Sequence, residues 1–128
     1  MARILLIDDD DPLREIIALS LTEAGHSVTQ ARDGNQGADL FRVTPTDLII
    51  TDLIMPGREG LETISTLRRE NPLLPIIAIS GGVTNSEFYL KLAAGLGATR
   101  TLAKPFARAE LLQAISEVLA GTDGTPPA

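Results

Sequence analysis

The sequence predicts an α/β fold in which five strand–helix units form a parallel sheet covered by helices on both faces. Two observations carry this. Short apolar runs alternate five times with longer amphipathic stretches, the rhythm of repeated βα units. The runs are also continuously apolar rather than alternating, as in strands buried on both sides.

The first strand is Ile4-Leu5-Leu6-Ile7. A helix follows, with Pro12 suited to its first turn, Asp11 as the expected cap, and Leu13, Ile16, Ile17 and Leu21 as its buried stripe. Gly25 reads as its C-terminal glycine. The second strand, about Ser27–Gln30, has the weakest apolar signal. Asp33 or Asn35 opens the next helix, which carries Ala38, Leu40 and Phe41. Strand three is Leu48–Thr51, closed by Asp52, and its helix shows Leu61, Ile64 and Leu67. Strand four is Ile76–Ile79, entered by Pro75, whose missing N–H is tolerated at a strand start. Thr84 and Glu87 have capping-box spacing for a fourth helix with Phe88, Leu92 and Leu96, ending near Gly95 or Gly97. Strand five is Thr99–Leu102, and the last helix carries Leu111, Leu112, Ile115, Val118 and Leu119. Residues 1–120 are expected to form one domain, and 121–128, rich in glycine, proline and polar residues, a disordered tail.

The chain has 128 residues, 44% hydrophobic and 22% charged, the balance of one soluble domain. It has no cysteine, which excludes disulfides, thiolate metal sites and cysteine nucleophiles. Aromatics are 3% and the net charge is −6, which argue against a base-stacking surface and against phosphate backbones, so no nucleic-acid partner is expected. The longest apolar run, Leu73–Ile79, contains Pro75 and falls far short of the about 20 residues of a membrane span. A cytoplasmic location away from membranes is expected.

In a parallel sheet, chemistry collects beyond the carboxyl ends of the strands. Those positions hold Asp8 and Asp9 after strand one, Asp52 after three, Ser80 after four and Lys104 after five. Converging carboxylates require compensation, and a hard cation with oxygen ligands supplies it; Mg²⁺ suits a partly hydrated carboxylate site. With an ammonium and a hydroxyl alongside, these are the components of phosphoryl transfer. Each residue has a plainer reading too. Asp10 and Asp11 fit favourable charge at a helix N-terminus, Ser80 before two glycines fits a turn, and His26 fits a charge partner at a helix C-terminus.

Four motifs together resemble response regulator receiver domains of two-component signalling. They are Ile4-Leu5-Leu6-Ile7-Asp8-Asp9-Asp10-Asp11-Pro12-Leu13-Arg14, the loop from Thr51-Asp52 through Met55-Pro56-Gly57 to Gly60, Ala78-Ile79-Ser80-Gly81, and Ala103-Lys104-Pro105-Phe106. The resemblance covers about residues 3–120. It implies a flavodoxin-like (βα)5 sandwich with strand order 2-1-3-4-5. It implies Asp52 as the phosphoacceptor, with Mg²⁺ held by the Asp9 and Asp52 side chains and the Ile54 backbone carbonyl, and by Asp8 through a water. Ser80 and Lys104 would meet the phosphoryl group, and Pro105 would follow a cis bond. The partners implied are a sensor histidine kinase or histidine phosphotransfer protein as donor and a downstream protein target. Only about eight residues follow the last helix, so the signal is expected to leave through a partner protein, a further phosphotransfer step, or use of the domain as a phosphate sink. The resemblance implies a signalling phosphoacceptor rather than an enzyme with turnover.

The chain departs from the family pattern at Thr101, where an aromatic switch residue is usual, and at Ala107, where a polar cap is common. Two other readings compete. Asp8-x-Asp10 also resembles the nucleophile motif of haloacid-dehalogenase-type phosphatases, but Pro12 and the missing acidic pair beyond Lys104 oppose it. A receiver-like interaction module that never cycles phosphate is opposed by the complete set of acids, hydroxyl and lysine.

Overall fold

The computed structural model describes residues 2–53, 60–80 and 86–120, with backbone alone at 60 and 86–90. Five strands and five helices alternate: β1 (Arg3–Ile7), α1 (Asp11–Glu23), β2 (Ser27–Ala31), α2 (Gly34–Val43), β3 (Leu48–Asp52), α3 (Gly60–Glu70), β4 (Ile76–Ser80), α4 (Ser86–Leu96), β5 (Arg100–Ala103) and α5 (Arg108–Leu119). The sheet is parallel throughout, in the order β2-β1-β3-β4-β5. The chain steps from β1 to β2 on one side and then to β3 on the other. The carboxyl ends of β1 and β3 therefore flank the switch in strand order.

Successive strand residues point to opposite faces, so each central strand feeds two cores. Ile4, Leu6, Ile50 and Ile77 pack with Ile17, Leu21, Leu111 and Ile115 under α1 and α5. Leu5, Ile7, Ile49 and Ile76 pack with Ile64, Leu67 and Ala93 under α3 and α4. Two burial requirements, one per face, explain the unbroken apolar runs. β2 lies at the sheet edge and is buried only at Ala31, which accounts for its weak signal.

The helices differ in detail from the sequence expectations. Asp10, not Asp11, caps α1: its carboxylate accepts the Leu13 N–H at 3.1 Å, and Asp11 is the first helical residue. The buried stripe of α1 runs through Ile17, Ala18 and Leu21, while Ile16 is 63% exposed. Asp33 is the cap of α2 and accepts the Gln36 N–H at 2.8 Å. On α4 the core contact is Ala93, with Leu92 and Leu96 at the rim. Gly25 and Gly97 both take positive φ just past helix ends, where glycine is unstrained. Ala107 caps α5 without a side-chain bond, but its own N–H donates to Glu110 at 3.1 Å, so half of a capping box survives. His26 is not a charge partner: its Nδ1 accepts the Ala2 N–H at 3.1 Å, which requires the neutral ring, and burial lowers its pKa. The Thr84 cap and the 121–128 tail lie outside the described residues, as do the side chains of Phe88 and Glu87.

Candidate functional site

The strand ends bring the expected groups together. Asp8 follows β1 directly and is 1% exposed. Its N–H donates to the Ala31 carbonyl of β2 at 3.0 Å, and its carboxylate accepts the Asp10 N–H at 2.9 Å. Asp52 ends β3, almost fully buried, and its carboxylate accepts the Leu53 N–H at 2.9 Å. The same Leu53 N–H also reaches the Ile79 carbonyl of β4 at 3.0 Å. Asp9 is exposed and stands at the mouth. Carboxylate oxygens of Asp8, Asp9 and Asp52 all lie within 4.8 Å of one another.

Lys104 supplies the opposing charge. Its backbone N–H donates to the Ser80 carbonyl at 2.7 Å, fixing the end of β5 against β4, and the Lys104–Pro105 bond is cis. From there Nζ reaches 3.6 Å from Asp8 Oδ2 and 3.6 Å from Asp52 Oδ2. One ammonium cannot offset three carboxylates. Burial pushes the Asp8 carboxyl above the usual carboxylate range, against the opposing pull of the Asp10 N–H and Lys104. A site that holds excess negative charge out of water is suited to a divalent cation, and the close oxygens fit one.

Ser80 is fully buried at the end of β4, and its Oγ finds no hydrogen-bond partner among the described residues. An unpaired buried hydroxyl costs free energy, about 1–3 kcal/mol, unless a ligand group answers it. The structure thus unites Asp8, Asp9, Asp52 and Lys104 and, among the described residues, leaves the Ser80 hydroxyl on the adjoining strand end without a partner. Ile54 lies outside the described residues. Thr101 sits half-buried on β5, paired in register with Ala78.

Residues 4–116 match the response regulator receiver domain family. The chain belongs to that family. Among curated relatives, the receiver domain is similar to response regulator MprA of Mycolicibacterium vanbaalenii, 38% identical over 120 residues, covering 94% of this chain and 51% of that protein. MprA of Mycobacterium sp. strain KMS gives the same identity and coverage. The chain spans about half the length of the curated relatives it matches. Among solved structures, a receiver domain protein from Clostridium thermocellum superposes with a TM-score of 0.87 at 27% identity, covering 94% of this chain and 96% of that one. The chemotaxis response regulator CheY4 of Vibrio cholerae superposes at 0.82 with 30% identity, covering 92% and 98%. The strand order and the two helical layers of this receiver domain agree with the sequence expectation.

Two polar residues beside the site escaped the sequence reading. Arg14 on α1 donates to the Asp8 carbonyl at 2.7 Å and pairs with Asp11 at 2.7 Å, and its Nε donates to Gln30 of β2 at 3.0 Å. The three-residue spacing of Asp11 and Arg14 on a helix signals that pair. No local signal marks Gln30, which is 16 positions away in sequence.

Proposed function

We propose that this receiver domain is a Mg²⁺-dependent phosphoacceptor: Asp52 takes a phosphoryl group from a phosphohistidine of a histidine kinase or histidine phosphotransfer protein. The observation that carries the reading is the Lys104 ammonium set 3.6 Å from both Asp8 and Asp52, with a third carboxylate alongside. An Asp52 carboxylate oxygen forms the new O–P bond as the donor's N–P bond breaks. The bonding electrons leave with the imidazole, which takes a proton from solvent. The product is an acyl phosphate.

Asp9 and Asp52 would hold Mg²⁺ through their side chains and Asp8 through a water, with the Ile54 carbonyl as a further ligand. When bound, the ion neutralises charge on the phosphoryl oxygens. Lys104 pairs with one phosphoryl oxygen, and the Ser80 hydroxyl donates to another, ending its unpaired state. The added charge, about −1.5 to −2, and three acceptor oxygens change the surface read by a downstream protein in the cytoplasm. The chemistry is stoichiometric signalling rather than turnover of a substrate.

Incubation with acetyl phosphate and Mg²⁺ should add one phosphoryl mass to the intact protein, and Asp52→Asn should remove that gain while keeping the fold. Continued modification of Asp52→Asn at a neighbouring acid overturns the assignment.

A further inference from the structure

We infer that Arg14 is a positioning residue for the cation site, holding the Asp8–Asp9 backbone through a three-way clamp; the inference rests on the phosphoacceptor reading above. The sequence places four aspartates in a row, Asp8 to Asp11, and the structure gives them separate duties. Asp10 caps α1, and Asp11 is engaged by Arg14 at 2.7 Å. Asp8 and Asp9 are left to face Asp52. One guanidinium reaches both ends of this run. Arg14 is only 13% exposed in its side chain, and Nη1 spans the Asp8 carbonyl and the Asp11 carboxylate while Nε is held by Gln30 on the neighbouring strand. The clamp thereby fastens the turn between β1 and α1 to β2, one peptide away from the Asp9 carboxylate.

Position and charge predict opposite signs here, which makes the role separable. Were Arg14 only a nearby positive charge, its removal would strengthen binding of a cation. As a clamp, its removal frees the Asp8 carbonyl and lets Asp11 rejoin the neighbouring acids, and affinity falls. Groups that orient metal ligands commonly cost 10–100-fold in affinity when lost. A lysine keeps the charge but cannot replace a planar fork bonded in three directions.

The test is calorimetric titration of the full chain with Mg²⁺ alone, with melting curves as a check on folding. Arg14→Met should weaken Mg²⁺ binding about 10-fold, Arg14→Lys should remain weakened, and Gln30→Leu, which loosens the clamp without touching the turn, should weaken it a few-fold. In acetyl phosphate reactions, Arg14→Met should need more Mg²⁺ yet reach the wild-type rate at saturation, which a general loss of structure would not produce. Unchanged or tighter Mg²⁺ binding in Arg14→Met overturns the inference. So does full affinity in Arg14→Lys, or, if Arg14→Met fails to fold, unchanged affinity in Gln30→Leu. No Mg²⁺ binding by the wild-type chain overturns the phosphoacceptor reading and this inference with it.

Discussion

Asp8 and Asp47 are both aspartates beside a cation, and their surroundings drive them in opposite directions. Arg3 meets Asp47 with both its guanidinium, at 3.0 Å, and its backbone N–H, at 2.8 Å, and holds the carboxyl at about 2. A folded-state pKa below the unfolded value contributes stability above about pH 4 that is lost as pH falls towards 2. Asp47→Asn should flatten that part of the acid melting profile, as thermal denaturation between pH 2 and 4 will show. Asp8 is the reverse case, because burial raises its pKa. Its charged form opposes folding, so stability falls as pH rises from the unfolded carboxylate value, about 3.9, through the raised folded value. In metal-free buffer at neutral pH, Asp8→Asn should melt higher than the wild type. Added Mg²⁺ should raise the melting temperature of the wild type and raise that of Asp8→Asn by less. The strand-end aspartates were legible in the sequence because an acid abutting a doubly buried strand has few other places to be. The Asp10 cap was harder to place. Any of four consecutive aspartates can reach a free N–H; in the fold Asp8 accepts the Asp10 N–H and Arg14 engages Asp11, with Arg14 itself tied to Gln30, 16 positions away.

Among the elements, α1 shows where periodicity misleads. Apolar residue type marked Ile16 as core, yet the sheet-facing arc passes through Ala18 and leaves Ile16 and Leu19 exposed. A helix can carry apolar side chains on more than one face, and the pattern alone does not say which face the sheet takes. α2 shows the opposite: its approach is set by a residue with no side chain. A Cβ on Gly37 would lie 2.4 Å from Ile7 Cδ1, and Ile7 is fully buried. Gly37→Ala should therefore destabilise by about 1–3 kcal/mol despite the better helix propensity of alanine. Urea denaturation will measure it. Glu110 is the corresponding element-scale support for α5, where Ala107 offers no cap.

At the scale of the whole molecule, the parallel sheet divides the labour between its two edges. The carboxyl edge gathers unbalanced charge and the buried Ser80 hydroxyl. The opposite edge holds Arg68, whose donors are spent on backbone carbonyls of two loops: Gly97 twice, at 3.0 and 2.7 Å, Asn71 at 3.1 Å and Pro72 at 2.8 Å. The parallel sheet and its two cores could be read from five apolar runs because doubly buried parallel strands impose a simple rule on sequence, and the strand order from the resemblance to receiver domains. This clamp could not, because it joins α3 to a turn 29 positions later through carbonyls that every residue possesses. Arg68→Met should cost about 2 kcal/mol by leaving those carbonyls unpaired. Its consequence for motion is geometric. α4 starts beside the acidic edge, at Ser86, and finishes against Gly97, where Arg68 holds the turn. A rod anchored at its far end answers a push at the near end by pivoting, so displacement should be greatest at Ser86 and fade towards Leu96. Hydrogen exchange with beryllofluoride as a phosphoryl mimic should show changes in that gradient, with little change across Thr99–Leu102, where Thr101 offers no bulky side chain to swing. In Arg68→Met the pivot is gone, and the whole rod should shift.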